Sequence, residues 1–300
     1  MKDVHQLQVF AAVAENLSFT RAAEALFLTQ SAVSHQIAGL EEALGAELFV
    51  RQPRGVALTP AGQVLLDRSR RIFAAFEEAR IAVRTAARPD QGTLRIGASA
   101  SACQFIIPEA LREFRESFPG YAMSITPGDS PVVSERLAEG AIDLGLMIRP
   151  QQRTKLTFHP LFADQLGFVV SPLHPWAKAG RVDRKALGEQ RLVLYSHVSA
   201  TFRLVERYFV RAGVSLKDYT ELGSMEAIKE LVKIGLGVSV MARWVVAQQV
   251  ADRTLVWLPA PGGQMRREWV IAMAAGRRPS LAEQTFIGLC QAVAAGLGEA

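Results

Sequence analysis

The chain has 300 residues, enough for about two domains of ~150 residues each, so a single core is not expected. A composition of 49% hydrophobic and 21% charged residues excludes a disordered chain, and no apolar run approaches the ~18 residues of a membrane span. Lys and Arg outnumber Asp and Glu by 34 to 29, giving a net charge of +5. Cys103 and Cys290 are the only cysteines, which excludes a disulfide framework and any cysteine-rich metal site.

The opening MKDVHQLQVF places Asp3 and His5 where a secretory leader would carry unopposed positive charge, so a cytoplasmic protein is expected, with no membrane partner. Charge by segment does not locate a polyanion-binding surface. Residues 1–60 carry four Lys/Arg against six acids, and most of the positive excess lies further along. A motif has to locate such a surface instead.

Taken in chain order, the first element is a helix near His5–Glu15, with Leu7, Phe10 and Val13 on one stripe. Ser18 caps a short second helix reaching Leu26, and Thr29 caps a third. That third helix turns Val33, Ile37, Leu40 and Leu44 inward and stops at Gly45. The arrangement is a helix-turn-helix. It leaves Gln30, Ser31, Ser34 and His35 outward on the first turns of the helix that would enter a major groove. Gln pairs bidentately with adenine, Ser donates or accepts, and His donates to guanine acceptors. A plain packing module with solvated polar positions is the competing interpretation.

Residues 48–58 then read as a hairpin with Pro53 and Gly55 at its turn, and Phe49 and Leu58 facing the helices. Arg51 and Arg54 are the only cations between residues 22 and 67, and both lie on this wing. Thr59-Pro60 opens a long helix as N-cap and first helical residue. Along it Leu65, Ser69, Ile72, Phe76, Ala79 and Val83 recur with a mean period of 3.5, the spacing of a paired-helix seam.

The stretch SFTRAAEALFLTQSAVSHQIAGLEEALGAELFVRQPRGVALTPAG resembles the winged helix-turn-helix signature of LysR-type transcriptional regulators. The resemblance runs through residues 5–86. It departs at Ser31, where many members carry Pro after the Gln. The resemblance implies an effector-responsive regulator that binds double-stranded DNA at a dyadic operator. It also implies a homodimer paired through the linker helix, assembled into a homotetramer, with RNA polymerase as a further partner. Gln30, Ser34 and His35 would be base readers, with Arg51 and Arg54 acting from the wing.

After Pro89-Asp90-Gln91-Gly92 the pattern changes to alternating strands and helices. Strands are expected at Thr93–Gly97, Ser124–Thr126 and Ile142–Ile148, separated by an apolar helix reaching Phe118 and by Pro131–Ala138. That βαβαβ order predicts a parallel sheet with ligands at the carboxyl ends of its strands. A second set begins near Leu166, with a strand at Leu192–Tyr195, helices opening at Ser199-Ala200-Thr201 and Ser224, and a strand at Val238–Met241. Trp269–Met273 returns to the first lobe and Ser280–Ala295 is the last helix. The hydroxyls of Ser99, Ser101, Thr126, Ser130, Ser199 and Thr201 sit at helix N-termini or strand ends, suited to a small anion. By resemblance, the effector sits between two lobes in a fold like that of type 2 periplasmic binding proteins. The expected organisation is therefore an α/β protein with a winged helix-turn-helix over 1–59 and a linker helix over 60–90. A two-lobed effector domain follows over 91–300, with lobe 1 at about 91–163 and 268–300 and lobe 2 at about 164–267.

Other chemistry is sparse. Gly235-Leu-Gly237 lacks the third glycine and the strand-first order of a dinucleotide fingerprint. The five histidines show no metal-ligand spacing, and no nucleophile elbow is present. Cys103 lies one turn into the helix after Ser99, where a buried inert thiol is favoured over a redox sensor. Neither a cofactor nor a metal is expected, and no enzyme. A transport solute-binding protein, or a ligand-binding protein without regulatory DNA binding, is the alternative.

Overall fold

The computed structural model describes residues 4–52, 55–87, 91–152, 154–216, 219–262 and 265–297. The chain forms two compact units, Met1–Ala82 and Val83–Ala300. In the first, α1 (Val4–Asn16), α2 (Phe19–Ala25) and α3 (Gln30–Leu44) enclose a core of Phe10, Val13, Ala22, Ala23, Val33, Ile37 and Leu40. The caps follow the expected chemistry. Ser18 Oγ accepts from Arg21 N at 3.3 Å and Thr29 Oγ1 from Ala32 N at 3.2 Å. Gly45 ends α3 at φ +65°, the left-handed conformation that favours glycine. Leu44, expected on the inward stripe, is exposed.

The hairpin strands β1 (Phe49–Gln52) and β2 (Gly55–Leu58) pair Phe49 with Leu58, and Phe49 packs against the rings of Phe10 and Phe19. Glu41 fastens this hairpin to α3, its carboxylate accepting from Leu48 N at 2.7 Å and Phe49 N at 3.3 Å. Thr59 Oγ1 accepts from Gly62 N at 2.9 Å and donates to Glu47 O at 2.7 Å, which sets the start of α4 (Pro60–Ala87). Gly62 is required there, because a Cβ would lie 2.2 Å from the Leu48 carbonyl oxygen.

The second unit contains β3 (Gly92–Ala98), α5 (Ala100–Phe105), α6 (Ile107–Ser117), β4 (Tyr121–Pro127), α7 (Ser130–Ala138) and β5 (Leu144–Ile148). The strand β6 (Leu156–Val170) and helix α8 (Pro175–Ala179) follow, then β7 (Leu192–Leu194), α9 (Ala200–Arg211), β8 (Tyr219–Glu221) and α10 (Met225–Lys233). The chain closes with β9 (Ser239–Ala242), α11 (Ala247–Ala251), β10 (Val256–Pro259), β11 (Met265–Ala274) and α12 (Leu281–Ala295).

Strands β4, β3 and β5 are parallel, as their order predicts. They belong, however, to a mixed sheet rather than an all-parallel one. β11 joins β5 antiparallel, and the 15-residue β6 runs antiparallel to β11. Residues 167–169 of β6 lie between β9 and β10, pairing with both. The long strands β6 and β11 thus carry the chain between two lobes. A register shift between Trp269 and Val270 interrupts the ladder between them. The expected single helix up to Phe118 is two. Pro108, at the start of α6, has no N–H to continue the ladder of α5.

Candidate functional site

In the first unit, burial of Val33, Ile37 and Leu40 forces the opposite face of α3 outward. Gln30, Ser31 and His35 are exposed on its first two turns and Ser34 is half-buried. Gln30 Nε2 donates to Ser34 Oγ at 2.9 Å, which holds the amide along the helix face. Ser31 Oγ lies 3.1 Å from Thr29 Oγ1. The positive end of the helix dipole adds attraction for phosphate at this terminus. Arg51 lies on β1, but its side chain is outside the described residues, as is Arg54 altogether.

In the second unit, five of the six hydroxyl residues singled out above line one cavity: Ser99, Ser101, Ser130, Ser199 and Thr201. Thr126, half-buried on β4, does not line it. The cavity holds about 50 Å³ of space for the centres of water molecules. At ~10–15 Å³ per water in that measure, this is room for a group of a few heavy atoms. Ser99 and Ser199 cap α5 and α9, accepting from Ala102 N at 3.4 Å and Phe202 N at 3.0 Å. Ser130 opens α7, and Met225, the first residue of α10, also lines the wall. The first residues of four helices therefore border one small volume, where helix dipoles favour negative charge.

A cation at the back of the cavity was invisible to the sequence reading. Arg267 on β11 is buried, with Nε donating to Asp164 Oδ1 at 2.8 Å and Nη2 bonded to Asp164 Oδ2. The Asp164 carboxylate also accepts from the indoles of Trp244 (2.8 Å) and Trp269 (3.0 Å), so its lone pairs are spent on fixing the guanidinium. Arg267 Nη1 donates to Thr201 Oγ1 at 2.8 Å. Of five guanidinium N–H groups, two have no partner among the described residues, and Arg267 lines the cavity. Its sequence signal is strand parity. Arg267 shares a face of β11 with Met265 and Trp269, both buried, whereas Arg266 and Glu268 alternate outward.

Two acidic groups at the cavity are held towards their neutral forms by burial. Burial pushes the Asp129 carboxyl above the usual carboxylate range. Burial likewise pushes the Tyr195 phenol up, with the Arg267 charge opposing it and Glu226 adding to it. The shift at Asp129 penalises its negative charge beside the cavity.

Comparison with known proteins agrees with this division. Residues 4–63 match the model described as bacterial regulatory helix-turn-helix protein, lysR family, and residues 87–295 match the LysR substrate binding domain. The chain belongs to the LysR family of transcriptional regulators. It is 31% identical over 284 residues to the HTH-type transcriptional activator CmpR of Synechocystis sp., covering 95% of this chain and 93% of that one. A RuBisCO operon transcriptional regulator of Acidithiobacillus ferrooxidans is 33% identical over 285 residues, covering 95% and 92%. Among solved structures, ArgP from Mycobacterium tuberculosis superposes with a TM-score of 0.70 at 21% identity, covering 99% of each chain. As a LysR-type regulator, the protein pairs a DNA-binding helix-turn-helix with a domain that binds a small effector.

Two further sequence features have structural explanations in this LysR regulator. Gly235 and Gly237 connect α10 to β9, and a Cβ on Gly237 would stand 2.8 Å from the Arg191 carbonyl oxygen, so this is close packing. Cys103 is half-buried, its Sγ 3.7 Å from the Ala98 carbonyl, and burial raises its pKa, opposite to what a reactive thiolate needs. Among the described residues no group of His, Cys, Asp or Glu could hold a metal, and no helix is long and apolar enough to cross a membrane.

Proposed function

We propose that the protein is a cytoplasmic regulator, acting by binding and not by catalysis, whose effector is a small anion held between the lobes. Ser99, Ser101, Ser130, Ser199 and Thr201 would bind it, together with Arg267. The observation that carries this reading is the fixed guanidinium with two unspent donors in a cavity ringed by helix N-termini. Gln30, Ser31, Ser34 and His35 would read base edges, and Arg51 and Arg54 would work from the wing on backbone or minor groove. Exposed Val64, Ile72, Phe76 and Val83 on α4 favour a homodimer through that helix, and the family resemblance favours a homotetramer. Two recognition helices about one DNA turn apart (~34 Å) would then meet a dyadic operator, with RNA polymerase as the downstream partner. Effector binding would bias the lobes by differential affinity, with a coupling of ~1–3 kcal/mol to DNA binding.

Thr201→Val tests the cavity. The hydroxyl bonds Arg267 Nη1 at 2.8 Å, so its loss should weaken binding of formate or acetate several-fold in a calorimetric titration, while operator affinity without effector stays unchanged. Equal anion affinity in the variant and the parent would reject the assignment.

A further inference from the structure

The small cavity opens into a larger one of about 710 Å³, and Ser130, Ile148, Ala200 and Arg267 line both. The outer cavity has a different chemistry. Arg149, Arg203, Arg207 and Arg266 line it, while among the described residues its only acid is Glu268, which is already bonded to Arg149 at 3.2 Å. Two of these guanidiniums are held in place. Arg149 lies over the Phe158 ring at 5.2 Å, and Arg207 Nη1 donates to Gln151 Oε1 at 2.7 Å. On α9, Arg203, Arg207 and Arg211 follow one another at every fourth position, so like charges stack on one face. A merely solvated helix face would interleave acids at those spacings, and here Glu206 is the only acid on the helix. A third cavity of about 340 Å³, lined by Arg184, Arg207 and Arg211, continues along the same face.

We infer that the outer cavity binds the phosphoryl group of the effector, whose other end is the small anionic head in the inner cavity. This rests on the proposed function of the inner cavity and adds the chemical class of the ligand, a phosphorylated small acid. A phosphoryl group offers three acceptor oxygens and close to two negative charges, the match for several forked guanidinium donors. The outer volume lies within the range of small-molecule sites, whereas the inner one holds only a head group. The concave shape also favours a small molecule over the flat surface that a duplex would need.

The test is calorimetric titration of the full-length protein with 3-phosphonopropionate and with its two halves, propionate and methylphosphonate. The exposed pair Arg203→Gln/Arg207→Gln and the inner Thr201→Val serve as variants. The two-headed probe should bind at least tenfold tighter than either half. The double arginine variant should lose at least tenfold on 3-phosphonopropionate and methylphosphonate and leave propionate unchanged, whereas Thr201→Val should weaken propionate and spare methylphosphonate. Phosphonate binding that ignores the double variant, or is absent, overturns the outer site. Failure of propionate alone, with arginine-dependent methylphosphonate binding, overturns the inner-cavity reading and upholds the outer one. A double variant that binds every probe normally but loses DNA affinity would assign the arginine stripe to nucleic acid and overturn the inference.

Discussion

Gln30 is held by its bond to Ser34, and this pairing gives the recognition face its first testable consequence. Gln30→Ala should cost ~1–3 kcal/mol at one base position of each half-site and leave other positions unchanged, measured by competition among single-substituted duplexes. Uniform loss across all duplexes would make Gln30 a backbone contact. Asp129 gives a pH dependence. Burial raises its folded pKa, so its ionised form is penalised, and a negative charge appears beside the cavity as pH climbs through that value. Affinity for an anion that does not itself titrate should therefore rise as pH falls through the raised pKa. Asp129→Asn should flatten this profile at the high-affinity level, with Arg267 and Tyr195 the other ionisable groups lining the cavity. The hydroxyl residues were legible because Ser and Thr cap helices with a known geometry. Arg267 and Asp164 were not. Their partnership spans 103 residues of sequence, and a strand arginine is ordinarily assigned to the solvent face.

The helices α1 to α3 were readable because apolar spacings of three and four coincide with caps at Ser18 and Thr29 and a stop at Gly45. Glu41, towards the C-terminal end of α3, bonds two hairpin amides. Glu41→Ala would leave those partly buried N–H groups unpaired and should destabilise the DNA-binding unit by ~1–3 kcal/mol, seen as an earlier thermal transition. An unaltered transition would show that water replaces the carboxylate at no cost. On α4 the predicted seam is mixed. Ser69 is fully buried and Leu65 packs on the core of its own unit, while Ile72, Phe76 and Val83 remain exposed. Phe76→Glu should therefore shift sedimentation from the oligomer towards the monomer without unfolding the chain. A variant with the parent's sedimentation would remove α4 from the interface. The full lengths of β6 and β11 were not legible, although Trp269–Met273 of β11 was expected, for a physical reason. The burial pattern of each changes along its length, in β11 from alternation over 265–269 to a continuous apolar run over 269–273, so no single period marks the whole strand.

At the scale of the molecule, one buried pair links the two lobe-crossing strands. Asp164 on β6 bonds Arg267 of β11, which lines the cavity, with Trp244 and Trp269 completing the carboxylate's bonds. Removing one partner strands the other charge in a buried site, so Asp164→Asn should cost ~3–5 kcal/mol and also weaken anion binding by releasing the guanidinium. A full loss of anion binding with unchanged melting would mean that the pair serves recognition and not folding. The division into a helical N-terminal part and an α/β part was legible from the change of pattern near residue 90, since helical and strand periodicities differ. How the parallel strands extend into a mixed sheet was not, because it depends on pairing between residues 156–166 and 265–274, far apart in sequence. In the proposed function α3 reads a dyadic sequence. Its most direct measurement is retention of random duplexes by the full-length protein, followed by sequencing, for the parent and for Gln30→Ala. The expected result is an enriched dyad in the parent and a changed preference at one symmetric pair of positions in the variant. Identical dyads from both proteins, or no enrichment in either, would contradict it.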